Sequence, residues 1–106
     1  MRPVESPVST SLILVCEKCG QRMKGDFDKN PSRQLASRLK KLSKETFGKG
    51  EVRAALTSCL NICPPNRISV AIVPVTDPTK APRFFTVKID DIDRTGQDIL
   101  EQVRQP

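Results

Sequence analysis

The fold class this sequence predicts is α/β, a single layer pair in the order β-α-β-β-β-α with a four-stranded mixed sheet and two helices. Three observations predict it. A short apolar run, Leu12 to Val15, is followed by a long amphipathic helical pattern and a second extended segment, which is how a crossover unit with two parallel strands reads. Ile68 to Val75 (Ile-Ser-Val-Ala-Ile-Val-Pro-Val) is the strongest strand in the chain, and Arg83 to Ile89 alternates as a half-buried partner across a hairpin loop at Thr76 to Pro82. A last amphipathic segment closes the chain. The length, 106 residues, accommodates one ordinary domain, with residues 1–11 as a flexible lead-in and residues 12–106 as the folded part.

Each element has a local reason. Met1 to Ser11 mixes Pro, Ser and Thr without a hydrophobic period. Leu12 to Val15 is all apolar and partly β-branched, as expected of a strand buried on both faces, and it ends at Cys16. Gly20 to Pro31 reads as a polar connection. Asn30-Pro31 or Ser32 then offers an N-cap with Pro in the first turn, and Leu35, Ala36, Leu39, Leu42 and Phe47 recur at intervals of three and four. Gly48 and Gly50 stop that helix, because Gly enters the left-handed region without steric cost. Glu51 to Ser58 is a strand by its place after a helix of crossover length more than by the propensity of Ala54, Ala55 and Leu56. Pro74 marks the end or an edge of the next strand. Asp90, Asp91 and Asp93 crowd the start of the last helix, whose apolar positions are Ile92, Ile99, Leu100 and Val103 and which Gly96 weakens.

Composition narrows the chemistry. The chain has four Cys, four Phe, no His, no Trp and no Tyr. Without imidazole there is no Ser-His-Asp or Cys-His nucleophile, no His-ligated zinc enzyme, no Rieske-type cluster and no His-ligated haem. Thiol chemistry remains. Leu12 to Val15 is the longest purely apolar stretch near the N-terminus, shorter than a signal-peptide core or a spanning helix, so the expected setting is the cytoplasm, with no membrane association. In a reducing compartment four Cys point to metal or redox chemistry rather than to disulfides.

All four Cys fall in two close pairs, Cys16-Glu17-Lys18-Cys19 and Cys59-Leu60-Asn61-Ile62-Cys63, the second followed by Pro64-Pro65. Each pair follows a predicted strand. If those strands are parallel neighbours, both pairs emerge at the carboxyl edge of the sheet, where open α/β sheets place their sites. A lone Cys at a strand end is more often a small buried hydrophobe; two short-spaced pairs that use every Cys are a different pattern. Four soft thiolates suit Zn²⁺ or an iron-sulfur cluster. Zinc ribbons usually take both pairs from two-residue turns folded back by glycines, and the three-residue second spacing ending in Pro-Pro departs from that.

On these residues the chain resembles the small thioredoxin-like 2Fe-2S ferredoxins, in which a Cys pair at the end of the first strand, a long helix and a second strand lead to a C-x3-C loop. Ser58-Cys59-Leu60-Asn61-Ile62-Cys63 looks like that loop, and the resemblance runs from about Leu12 to Val103. Two departures stand out. The first pair is spaced C-x2-C rather than more widely, as in a less characterised branch of metal-binding proteins, and Asn61 takes the place of a frequent glycine, though Asn tolerates left-handed geometry. The resemblance implies a thioredoxin-like fold and a 2Fe-2S cluster held by Cys16, Cys19, Cys59 and Cys63. It also implies an electron carrier or electron-transfer subunit rather than an enzyme. A structural or sensory zinc module on the same four thiolates is the alternative. Thiol-disulfide exchange through C-x2-C is a third reading, against which stand the Glu-Lys between the cysteines and a second pair left without a purpose.

The net charge of +6 bears on partners. Arg33, Arg38, Lys40, Lys41 and Lys44 share one helix, and Lys18, Arg22 and Lys24 lie beside the first Cys pair. They suggest a positive surface that steers an acidic redox partner protein towards the site. Lys18, Arg22, Lys24 and Arg67 near an anionic cluster would also raise its potential. Nucleic acid is disfavoured, because Phe27, Phe47, Phe84 and Phe85 are mostly absorbed by strands and helix and leave little for base stacking. The sequence does not decide between a monomer and a homodimer.

Overall fold

A computed structural model describes residues 1–4, 8, 10–22, 30–62, 64–76 and 79–104. The elements are β1 (Ser11–Cys16), α1 (Glu17–Arg22), α2 (Pro31–Phe47), β2 (Val52–Thr57), β3 (Ile68–Pro74), β4 (Arg83–Val87) and α3 (Ile92–Arg104). The sheet order is β2-β1-β3-β4. β1 runs parallel to β2, with Ser11 beside Val52 and Cys16 beside Thr57, while β3 runs antiparallel to both β1 and β4. The fold is thus α/β with a mixed four-stranded sheet. It has three helices rather than the two expected, because α1 begins directly after Cys16 and carries Cys19 and Gly20 out of the expected polar connection. The rest of that connection, residues 23–29, lies outside the described residues and includes Lys24 and Phe27.

β1 starts within the expected lead-in, at Ser11, and the Thr10 N–H and C=O bond to the Glu51 carbonyl and the Val75 N–H. Its burial alternates. Ile13 and Val15 are fully buried and Leu12 and Leu14 only half, because α2 and α3 lie together over one face of the sheet. On that face Ile13, Val15, Val52, Ala54, Ile68, Val70 and Ile72 meet Leu35, Ala36, Leu39, Ile99 and Leu100. Fully burying a side chain the size of Leu35 or Leu39 stabilises the fold by about 1.5–3 kcal/mol. The opposite face carries Leu12, Leu14, Ala55, Ala71, Val73 and Phe84, none of them in that core. Phe84 is 53% exposed, so strand placement did not bury every aromatic.

The helix ends follow the expected chemistry. Asn30 caps α2, its Oδ1 accepting from the Ser32 N–H at 2.9 Å, with Pro31 in the first turn. Gly48 ends that helix at φ 89°, its N–H donating to the Lys44 carbonyl. Asp91 Oδ1 accepts from the Asp93 and Arg94 N–H groups at the start of α3. Gly96 has a packing reason. A Cβ there would stand 2.9 Å from Leu42 Cδ1, the end of a side chain that would have to turn aside to admit it. Among the described residues no helix is long and apolar enough to cross a membrane.

Candidate functional site

The parallel pairing of β1 and β2 places both cysteine-bearing loops at one end of the sheet. Cys16 is the last residue of β1, and Cys19 lies one turn into α1. The turn between them is held from outside by the N-terminus of α2. Ser32 Oγ donates to the Cys16 carbonyl at 2.6 Å, Asn30 Nδ2 donates to the Glu17 carbonyl at 3.3 Å, and the Arg33 guanidinium pairs with the Glu17 carboxylate at 2.7 Å. Gly20 is the residue that permits this. A Cβ built on it would come within 1.9 Å of Asn30 Oδ1 and 2.5 Å of Ser32 Oγ. Such separations are far inside van der Waals contact.

The second loop closes over the first pair. The Cys16 thiol faces the Ser58 carbonyl at 3.9 Å, the Cys19 thiol faces the Ile62 carbonyl at 3.6 Å, and the Lys18 N–H donates to the Ser58 carbonyl at 3.3 Å. Ser69, a polar residue inside the strongest strand, has its hydroxyl 3.3 Å from Cys19 Sγ and donates to the Ile62 carbonyl at 3.1 Å. Cys16 and Cys19 are accordingly 0% and 5% exposed. Cys59 is half-buried, and its sulfur accepts the Asn61 N–H at 3.3 Å. Asn61 adopts φ 60°, the left-handed geometry that its type tolerates. All three described cysteines are free thiols.

The environment separates the first two thiols. Burial alone would raise both. At Cys16 it is outweighed by hydrogen bonds from the Cys19 backbone and thiol, the Leu60 backbone and Ser69, leaving its pKa below the ordinary thiol value. At Cys19 burial prevails over the Ser69 bonds, helped by the neighbouring Cys16 charge, and its pKa is raised.

Of the four expected site residues, the structure brings Cys16 and Cys19 together and lays the Cys59 loop against them. Cys63 lies outside the described residues. Among the described residues no three His, Cys, Asp or Glu side chains form a group that could hold a metal ion. The donor chemistry is nevertheless that of thiolate ligation. Backbone hydrogen bonds from Cys19 and Leu60, one in each loop, favour the charged form of the Cys16 sulfur that a metal needs, and the Cys59 sulfur accepts the Asn61 N–H. Ser69 is a supporting residue that sequence reading missed, and Asn30 and Ser32, expected only as N-cap candidates, hold the cysteine turn as well. For Ser69 the available signal was a hydroxyl at a buried place in an apolar strand.

The expected basic surface is divided. Arg33 pairs with Glu17 and Arg38 with Asp93, so neither is free to meet a partner. The Arg67 guanidinium is bound to the Thr86 hydroxyl and carbonyl, each at 3.1 Å. No protein-family model matches the chain, and neither a curated protein nor a solved structure matches it.

Proposed function

We propose that this protein is a one-electron carrier binding a 2Fe-2S cluster through Cys16, Cys19, Cys59 and Cys63, in a reducing, cytoplasmic setting. One observation carries the reading: the loop that bears Cys59 is hydrogen-bonded onto the buried Cys16-Cys19 turn, with backbone hydrogen bonds to sulfurs of both loops. The strand order with β3 alone antiparallel supports the thioredoxin-like reading of the fold.

The cluster, when bound, supplies the one-electron chemistry. The chain's own part is to present thiolates and to limit water around them. The Leu60, Cys19 and Asn61 backbones offset thiolate charge, Ser69 can turn its one hydroxyl proton to the Cys19 sulfur, and the loop over Cys16 shields it from solvent. Lys18 and Arg22 add positive charge on α1 next to the pair. An acidic redox partner is the corresponding binding partner.

The same geometry bears on the alternatives. The lowered Cys16 beside a raised Cys19 favours a dithiol redox pair as a second reading. Against it, a sulfur that attacks a partner disulfide needs an approach path, and Cys16 is fully buried beneath the second loop. The test is anaerobic purification followed by absorption spectroscopy and metal analysis. The expected result is red-brown protein with about two irons per chain and a paramagnetic signal on reduction. Colourless protein with stoichiometric zinc assigns the site to the zinc module. Metal-free protein that gains a Cys16-Cys19 disulfide on oxidation assigns it to the dithiol.

A further inference from the structure

Among the described residues β2 is an edge strand, paired with β1 on one side only. The Glu51 carbonyl accepts from the Ser11 N–H, and the parallel register puts Ser11 beside Val52. Alternation along the strand then points the N–H and C=O groups of Arg53, Ala55 and Thr57 towards β1. Those of Val52, Ala54 and Leu56 point outwards. Along this edge runs a concave strip of about 610 Å³, lined by Lys40, Ser43 and Lys44 of α2, by Lys49 and Gly50 of the turn, and by the strand from Val52 to Ala55. Val52 and Ala54 lie on the helix-covered face of the strand and Arg53 and Ala55 on the other, so the strip follows the edge itself.

Four cations line it: Lys40, Lys44, Lys49 and Arg53. None of the four has an ion-pair partner among the described residues, in contrast to Arg33 and Arg38. Among the described residues no carboxylate lines the strip, although exposed Glu51 stands in the chain between Gly50 and Val52; Glu45 lines the adjoining concavity over Lys40, Lys41 and Lys44. Phe84, the one exposed aromatic among the described residues and able to stack on a nucleobase, stands on β4 at the opposite edge of the sheet.

We propose that the outer edge of β2 receives an extended acidic segment of a partner protein, which adds to the sheet as a further strand. Main-chain bonds to Val52, Ala54 and Leu56 give the register; carboxylates on the helix-side face of the added strand meet Lys40 and Lys44, one on its other face meets Arg53, and one at its end meets Lys49. A strand is favoured over other polyanions because the cations border a row of outward backbone donors and acceptors that only another backbone matches in spacing. This inference is independent of what the thiols bind.

The test uses the whole protein and a short fluorescein-labelled peptide of Glu-Glu-Val-Thr repeats, which carries Glu on both faces of a strand, followed by fluorescence anisotropy at low salt. Saturable binding is expected, weakening about tenfold in Lys44→Glu/Arg53→Glu. Methylating alternate peptide amides, which leaves the charge unchanged, should weaken it by a similar factor through lost main-chain bonds. On the protein side, Leu56→Pro removes an outward N–H without touching the β1 ladder, since an edge strand tolerates Pro where its N–H faces solvent. It should lower affinity while circular dichroism shows the fold retained. Failure to bind, unchanged binding of the methylated peptide, or unchanged binding by the charge-reversed protein overturns the proposal. Tighter binding of a single-stranded oligonucleotide of equal charge also overturns it, in favour of a nucleic-acid surface.

Discussion

The two cysteine loops sit at the same end of the sheet but are built differently. The Cys16-Cys19 turn is fixed by groups from elsewhere in the chain: Asn30, Ser32 and Arg33 from the start of α2, and Ser69 from β3. Cys59 is held by its own loop, through the Asn61 N–H. The first half of the site is therefore part of the core, and its geometry is determined before any ligand arrives. The second depends on a left-handed Asn and a few backbone contacts. Replacing a residue that supports the first loop should cost global stability, whereas changing the second should act mainly on whatever the thiols hold.

Gly20→Ala is the strongest way to break this difference. Its Cβ has no space against Asn30 and Ser32, and forcing α1 away from α2 should destabilise the protein by about 3 kcal/mol, read from the denaturant midpoint. An unchanged midpoint would mean that the α1-α2 clamp is not a fixed part of the native state. Ser32→Ala removes a buried hydroxyl bond and leaves the Cys16 carbonyl short of a donor; the expected loss is about 1–2 kcal/mol by the same measurement.

Asn61→Ala sharpens the comparison from the other side. An Ala pays more than Asn for φ 60°, so the cost should be about 1 kcal/mol or less in the metal-free protein. Bound metal per chain should fall by a larger proportion. Equal losses in stability from Asn61→Ala and Gly20→Ala would erase the distinction between the loops.

The smallest effect is on pH dependence, in reduced, metal-free protein. Cys16, with a lowered pKa, contributes stability that is present above the unfolded thiol pKa and lost as pH falls through its folded value. Cys19 has the opposite sign: its contribution is full below the unfolded pKa and lost as pH rises through its raised folded value. The two partly cancel in the native sequence. Unfolding midpoints measured across the alkaline range should therefore change little, and a steep rise or fall of stability through the thiol range would show that one of the two shifts dominates.

These contrasts also mark where sequence reading succeeded. Asn30-Pro31, the Leu35, Leu39 and Leu42 spacing and Gly48 specify α2 locally, so its limits were legible. β2 was weak by propensity and legible only through the crossover that precedes it. α1 was not legible, because six residues containing Gly20 are too short to show a helical period. That helix exists through its docking on α2. Nor could four apolar residues, Leu12 to Val15, reveal whether helices cover one face of the sheet or both. The ion pairs that occupy Arg33 and Arg38 join residues far apart in sequence, Glu17 and Asp93, so a helix that reads as one basic face is divided once folded. The pairing of the cysteines, by contrast, was plain in their spacing, and the parallel register explains why two distant segments share one end of the sheet.

The cations beside β2 have a consequence for the protein's own solubility. An unpaired strand is a template on which another copy of the same molecule can polymerise. Two copies approaching edge to edge would bring Lys40, Lys44, Lys49 and Arg53 of each against the same four residues of the other, and like charges at that range oppose the contact. Neutralising them, by acetylation of the lysines or by substitution with Gln, would remove that repulsion while leaving the outward backbone groups intact. Concentrated solutions of Lys40→Gln/Lys44→Gln/Lys49→Gln should then scatter light and bind thioflavin, where the native chain stays dispersed.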